Sequence, residues 1–324
     1  MRKNIFAIII LIFVFFICGK SLAADETIQL RVGGSGQNSW AYSCMVGIAE
    51  SIRQADPGME LIIQATPGSA SHYSLFETKD LDAGNGYTPT DYWATIGQGP
   101  LYDKPYKGVF YTIAPISFSK TQVMVAANSD IKSMKDLKGK RVYLGDQGSS
   151  STHMSANIIK VLGIECETIQ TDRAEGYEMV RNGRADALIH NSGTPYANIL
   201  ELGTAIELRC IPFTDEEIKI CIESGPYSFQ SEISAADYSF VKEPVKTLAQ
   251  GSNIIVRADL DEAIVYRLTK NIVEVWDEVT KIVPAAGLIK PLENILTNSV
   301  APIHPGALKY YEERGVEIPD HLKP

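Results

Sequence analysis

Apolar positions along this chain switch repeatedly between the period-two rhythm of strands and helical spacing. Residues 28–32 alternate as a strand and run into the polar, glycine-rich segment 33–39 (GGSGQNS). Ala41, Cys44, Ile48 and Ile52 then recur at helical spacing. Asp56-Pro57-Gly58 stops that helix before a strand at residues 61–63, and Thr66-Pro67-Gly68-Ser69 opens another helix through Phe76. This strand–helix–strand order predicts a parallel or mixed sheet with its binding loops at the carboxyl ends of the strands. Residues 83–110 carry many Gly, Tyr and Pro but few aliphatics, and no element can be read there.

A second strand–helix set begins near residue 126. Residues 121–127 (TQVMVAA) predict a buried strand. Val142, Tyr143 and Leu144 predict another, broken by Gly145 and Gly148. The Gly/Ser loop there starts a helix with Met154, Ile158 and Val161 on one face. A helix spans residues 177–181, a short strand 187–189, and a buried strand 252–256. Residues 259–276 predict a long amphipathic helix with Leu260, Ile264, Leu268, Ile272 and Val275 aligned. Two α/β sets joined by two apolar strands, 121–127 outward and 248–256 back, predict two lobes hinged around a cleft. The lobes are expected at residues 24–125 plus 250–324 and at 126–249.

Composition narrows the partners. Arg2 and Lys3 precede an apolar run over residues 5–18, and Ser21-Leu22-Ala23 offers a cleavage site. The beginning of the chain therefore reads as a secretory signal peptide cut near Ala23, and the protein as periplasmic. Without that leader, 27 basic residues face 39 acidic ones, which argues against nucleic acid or anionic lipid as partner. Cys44, Cys166, Cys210 and Cys221 match no zinc spacing. Cys210 and Cys221 are the best candidates for a disulfide if they share a hairpin, with free buried thiols as the alternative. The five histidines show no metal spacing, and neither metal nor cofactor is expected.

Chemistry concentrates in the loops. The Gly/Ser loop at residues 145–152 sits at a helix N-terminus, where unpaired backbone N–H groups favour anions. Ser149, Ser150 and Thr152 add hydroxyls there, and Ser69 combines a helix cap with possible ligand contact. Gly34-Ser35-Gly36 follows a strand but lacks the last glycine of a dinucleotide fingerprint. No nucleophile elbow, β-lactamase-type set or Walker loop is present, so an enzyme is not expected.

With these residues in view, the chain resembles the TAXI family of solute-binding proteins, the receptors of TRAP-type transporters. The resemblance rests, in order, on residues 33–42, Pro67-Gly68-Ser69, residues 131–152, 182–195 and 254–272, and IHPGALKYYEERG at 303–315. It implies a two-lobed type II periplasmic-binding-protein fold. It also implies a monomeric receptor that delivers a small organic acid or amino-acid-like ligand to TRAP permease subunits. A receptor serving an ABC importer or a sensor kinase is the alternative. The ligand-binding residues it implies are Gly34, Ser35, Tyr42, Gly68 and Ser69 on one side. Across the cleft they are Gly148, Ser149, Ser150 and Thr152, with Thr194 and Pro195 behind. One segment departs from the family. Where members read close to D-x-G-x-x-Q-x-D, this chain has DAGNGYTPTDYW at 82–93, with Tyr87 in place of Gln. An altered wall near Tyr87, Tyr92 and Trp93 implies a ligand unlike the family's glutamate-like ones, either larger or partly apolar.

Overall fold

Among the described residues, ten strands form one mixed sheet, and its order shows how two α/β halves share it. The structure is a computed structural model that describes residues 27–37, 39–99 and 101–324. The leader and its cleavage near Ala23 lie outside the described residues. In the first half, β1 (Ile28–Gly33), α1 (Trp40–Ala55), β2 (Met59–Gln64), α2 (His72–Glu77), β3 (Ala83–Tyr87) and α3 (Thr88–Ile96) follow one another. The long strand β4 (Phe110–Ala126) leads into the second half. There β5 (Arg141–Gly145), α4 (Ser150–Val161), β6 (Glu167–Gln170), α5 (Arg173–Arg181), β7 (Ala187–Ser192) and α6 (Ala197–Ala205) repeat the pattern. After β8 (Leu208–Cys210), α7 (Asp215–Glu223) and β9 (Phe229–Ile233), the long strand β10 (Val245–Arg257) returns. The chain closes with α8 (Glu262–Glu274), α9 (Trp276–Ile282), α10 (Pro291–Asn298) and α11 (Pro305–Glu313).

The sheet runs β2-β1-β3-β10-β4-β7-β5-β6, with β8 added on β4 and β9 on β10. β1 is parallel to β2 and β3, and β5 is parallel to β6 and β7. Only β4 and β10 enter both halves. Residues 110–120 of β4 pair antiparallel with β10, and residues 120–124 go on to pair with β7. This is the two-lobed periplasmic-binding-protein architecture, with two antiparallel strands as its connection. Both connecting strands are longer than the apolar runs that predict them.

The unreadable stretch 83–110 has a physical explanation. β3 reads AGNGY and holds no aliphatic beyond Ala83, yet every residue in it is buried. Its glycines make room for neighbours. A Cβ on Gly84 would lie 2.7 Å from Nδ1 of His72, and one on Gly86 would lie 2.7 Å from Oδ1 of Asp91. Pro115 sits inside β4 because the register against β10 shifts there: Ser252 faces Ser117, whereas Asn253 faces Pro115. A bulge of this kind tolerates a residue that cannot donate to the ladder.

Two expectations change. The helix predicted over 259–276 is shorter, because Asp261 caps it, accepting from the N–H groups of Ala263 (2.8 Å) and Ile264 (3.2 Å). Asp259 instead pairs with Lys79 (2.7 Å) and Arg257 (2.6 Å), and α1 is longer than α8. Cys210 ends a strand, Cys221 lies on α7, and all four described cysteines are free thiols. No hairpin joins that pair, and burial pushes both thiols up to about 12.

Asp91 supplies a pH test of the first lobe. It is fully buried at the first turn of α3, and the Tyr73 hydroxyl donates to it at 2.6 Å. Burial raises its pKa to about 7, with the Tyr73 bond opposing. A carboxyl raised in the fold contributes stability at low pH and loses it as pH climbs from its unfolded value, near 4, through 7. Asp91→Asn keeps an acceptor for Tyr73 and removes the titration. Thermal melts should therefore show the variant about 5 °C more stable than the parent at pH 8 and nearly equal to it at pH 4.

Candidate functional site

Loops at the carboxyl ends of the parallel strands enclose a cavity of about 600 Å³, within the range of small-molecule sites. From the first half come Ser35, Gly36 and Gln37, Ser39 to Ala41 around the start of α1, Pro67-Gly68-Ser69, and Asn85 and Tyr87 of β3. From the second half come Asp146, Gln147 and residues 149–151, Asp172 to Ala174 at the start of α5, and residues 190–193 ending β7. Tyr196, just before α6, and Asn198 in its first turn complete that wall, and Ser119 and Ser252 enter from the two connecting strands.

The first-half loops are pinned from beneath by His72. Its Nδ1 donates to the Asn85 carbonyl (2.9 Å), which leaves Nε2 to accept from Oγ1 of Thr66 (2.8 Å). That oxygen in turn accepts from the backbone N–H of Ser35 (3.1 Å). Burial lowers the His72 pKa to about 4, so the ring is neutral at physiological pH and both roles persist. Ser35 holds a left-handed conformation (φ 68°) and donates its hydroxyl to Oδ1 of Asn85 (2.8 Å).

In the second half, Gly145 turns with φ 123°, and a Cβ there would lie 2.5 Å from Oγ1 of Thr152. That hydroxyl donates back to the Asp146 carbonyl (2.7 Å), while Ser149 caps α4 by accepting from the Thr152 N–H (3.1 Å). The two halves touch across the cleft. The hydroxyls of Ser69 and Ser150 are 2.7 Å apart, and the Ala70 N–H donates to Ser150 (3.2 Å). The first turns of α1 and α4 thus face one space, each contributing the partial positive charge of a helix N-terminus.

Arg173 is the one cation among the described residues lining the cavity. Its side chain is about three-quarters buried and forms an ion pair with Asp146. His190 stacks on Tyr196 at 4.5 Å between ring centroids. Burial first, then the nearby Arg173, lowers the His190 pKa to about 3, so it is uncharged. Nδ1 of His190, Oδ1 of Asp146 and Nε1 of Trp40 are buried without a hydrogen-bond partner among the described residues.

Ser35, Gly68, Ser69, Tyr87, Ser149 and Ser150 line the cavity; the other sequence-implied residues do not. The Gly34 N–H donates to the Gln64 carbonyl (2.9 Å), and Tyr42 packs where a Gly34 Cβ would go. Gly148 is exposed in its turn, and Pro195 is exposed. Thr152 braces the loop as described. Thr194 is buried and donates to Asp237, the partner of Lys120. Near the divergent segment, Tyr87 presents its ring to the cavity and donates its hydroxyl to Gln250 (3.0 Å). Tyr92 and Trp93 do not share that wall; both pack on Tyr227, at 5.6 and 5.5 Å between rings. Asp82 clamps Arg31 (2.9 Å) and Arg257 (3.2 Å).

The sequence does not single out Arg173, Asp146, His190 or Tyr196 as binding residues. Asp146 and His190 lie inside the quoted blocks, and Arg173 follows the capping Asp172, so position at a strand's carboxyl end was the available signal. Ser119 and Ser252 gave no such signal, because both lie within long strands.

A cleft between two α/β lobes, walled by carboxyl-end loops and bridged by two antiparallel strands, defines the solute-binding-protein class of folds. Solved structures of that class align over most of the chain. MatC from Rhodopseudomonas palustris with bound malate has 11% identity and a TM-score of 0.53, covering 80% of this chain and 88% of its own. XAC2383 from Xanthomonas citri bound to chloride has 12% identity and a TM-score of 0.52, covering 88% and 95%. A Streptococcus mutans structure from work on glutathione import via GshT and the cystine ABC importer TcyBC has 14% identity and a TM-score of 0.50, covering 80% and 95%. At these identities the likeness is one of fold. The chain belongs to the NMT1-like family, whose model matches residues 32–315. No helix among the described residues is long and apolar enough to cross a membrane, and no group of three or more His, Cys, Asp or Glu among them is placed to hold a metal.

Proposed function

We propose that the protein is a non-enzymatic periplasmic receptor. It closes on a small organic anion and delivers it, as a monomer, to a TRAP-type ion-coupled permease. The observation that carries the anion reading is the meeting of the α1 and α4 first turns and Arg173 around one cavity. Backbone N–H groups at helix starts together with a guanidinium form a carboxylate site without further chemistry. The malate of MatC and the chloride of XAC2383 are anions held by proteins of the same fold. The TRAP assignment rests on the TAXI-like blocks, above all residues 303–315. We place the lobe boundaries inside β4 and β10, at 125/126 and 249/250. The ligand residues are Ser35, Gly68, Ser69, Tyr87, Ser149 and Ser150, joined by Trp40, Arg173 and His190.

A thermal-shift screen of carboxylates and amino acids tests the receptor reading. A ligand at 100 times its Kd adds about 2.7 kcal/mol of stability, a rise of about 4 °C in a chain of this size. Enzymatic turnover of the bound acid would count against a receptor. For delivery, uptake into vesicles carrying the permease should collapse with an ionophore. Uptake that instead follows ATP would assign the protein to an ABC importer.

A further inference from the structure

The charges around the cavity restrict the ligand further. Its lining carries two carboxylates, Asp146 and Asp172, and one guanidinium, Arg173, which already forms an ion pair with Asp146. His190, only 7% exposed, adds no charge. The rest of the wall offers neutral hydrogen-bonding groups: the hydroxyls of Ser35, Ser69 and Ser119 and the amides of Asn85, Asn191 and Asn198. The α1 and α4 first turns with Arg173 give one electropositive end. A second carboxylate would leave water without a second cation to meet it, in a lining where two carboxylates already outnumber the one guanidinium. We infer that the cleft selects an organic acid with a single carboxylate and a hydrogen-bonding body, and that Asp146 is a specificity-determining residue against dicarboxylates. The inference rests on the receptor reading above and deepens it.

Matched pairs that differ by one carboxylate test it by calorimetry: glutamine against glutamate, succinamate against succinate, and gluconate against glucarate. In every pair where either member binds, the one-carboxylate member should bind at least tenfold more tightly. Equal or tighter binding of a dicarboxylate overturns the inference while leaving the receptor reading intact. If neither these pairs nor any acid in the thermal screen binds, the receptor reading itself fails and this inference falls with it. Asp146→Asn supplies the second arm. Removing that charge takes one of the two negative charges from the lining, so the preference for one carboxylate should shrink at least tenfold. A folded Asp146→Asn protein with an unchanged preference ratio overturns the role assigned to Asp146.

Discussion

Arg173→Ala is expected to weaken binding of the receptor's acid by about 100-fold or more, with a much smaller effect on folding. Arg173 lies at the start of α5, and its side chain reaches the cavity beside Tyr196 and Asp146. Charge-assisted hydrogen bonds are worth about 1.5–3 kcal/mol, and truncating one partner of a desolvated charge pair costs about 2–5 kcal/mol. About 3 kcal/mol lost corresponds to roughly 150-fold in Kd. The free protein also loses an ion pair, but the Asp146 side chain is 30% exposed and solvent will compensate most of that. Arg173→Lys keeps the charge and loses the planar fork, so its affinity should fall between the two. Calorimetric titration of all three proteins with one acid measures the series; equal affinity across them would remove Arg173 from the site.

The largest stability effect is expected at Gly306. α11 begins with His304, whose Nδ1 accepts from the Gly306 N–H at 3.1 Å, followed by Pro305 at the first helical position. Gly306 lies directly against α8. A Cβ there would sit 2.2 Å from the Glu262 carbonyl oxygen and 2.8 Å from the Tyr266 nitrogen, and these are backbone atoms that cannot rotate away. Separating the helices would disturb Ala307 and Tyr311, both fully buried, and the bond from the Tyr311 hydroxyl to the Ile113 carbonyl (2.9 Å). Gly306→Ala should cost about 3 kcal/mol and Gly306→Val more, a fall of about 5 °C in Tm for the alanine. Gly287→Ala is the control. No atom lies within 4 Å of the added methyl, so its melting point should stay within about 2 °C of the parent.

That result gives the HPGA segment a physical meaning. The block that most resembles TAXI receptors is, in this structure, a helix-packing device outside the residues that line the cleft. The fold was legible because its strands and helices carry strong periodicity: β1, α1, β5 and α4 lie close to where the apolar rhythm predicts them. β3 and α3 were illegible because local propensity there yields to packing. Glycines accept the side chains of His72 and Asp91, so a buried strand carries almost no aliphatic signal. The candidate site was half legible for a related reason. Residues in Gly/Ser loops announce themselves by composition, and Ser35, Gly68, Ser69, Ser149 and Ser150 reach the cavity. Thr152 and Thr194 look the same in sequence, but their hydroxyls turn inward to Asp146 and Asp237. Only the fold brings Trp40, Arg173, His190 and Tyr196 together, since they come from α1, α5, β7 and the turn before α6.

Trp40 permits the most direct test of the central claim, that one solute is bound between the lobes. It opens α1 and lines the cavity, and its indole nitrogen lies 3.6 Å from where a Cβ on Gly193 would sit in the opposite lobe. The other two tryptophans, Trp93 and Trp276, are buried in cores. Fluorescence should be titrated with the acid that gives the largest thermal shift, alongside calorimetry. The expected result is a saturable change at one ligand per chain that disappears in Trp40→Phe, while that variant still binds by calorimetry. One-to-one binding with tryptophan emission unchanged, or a change that survives Trp40→Phe, would contradict a ligand held in this cleft.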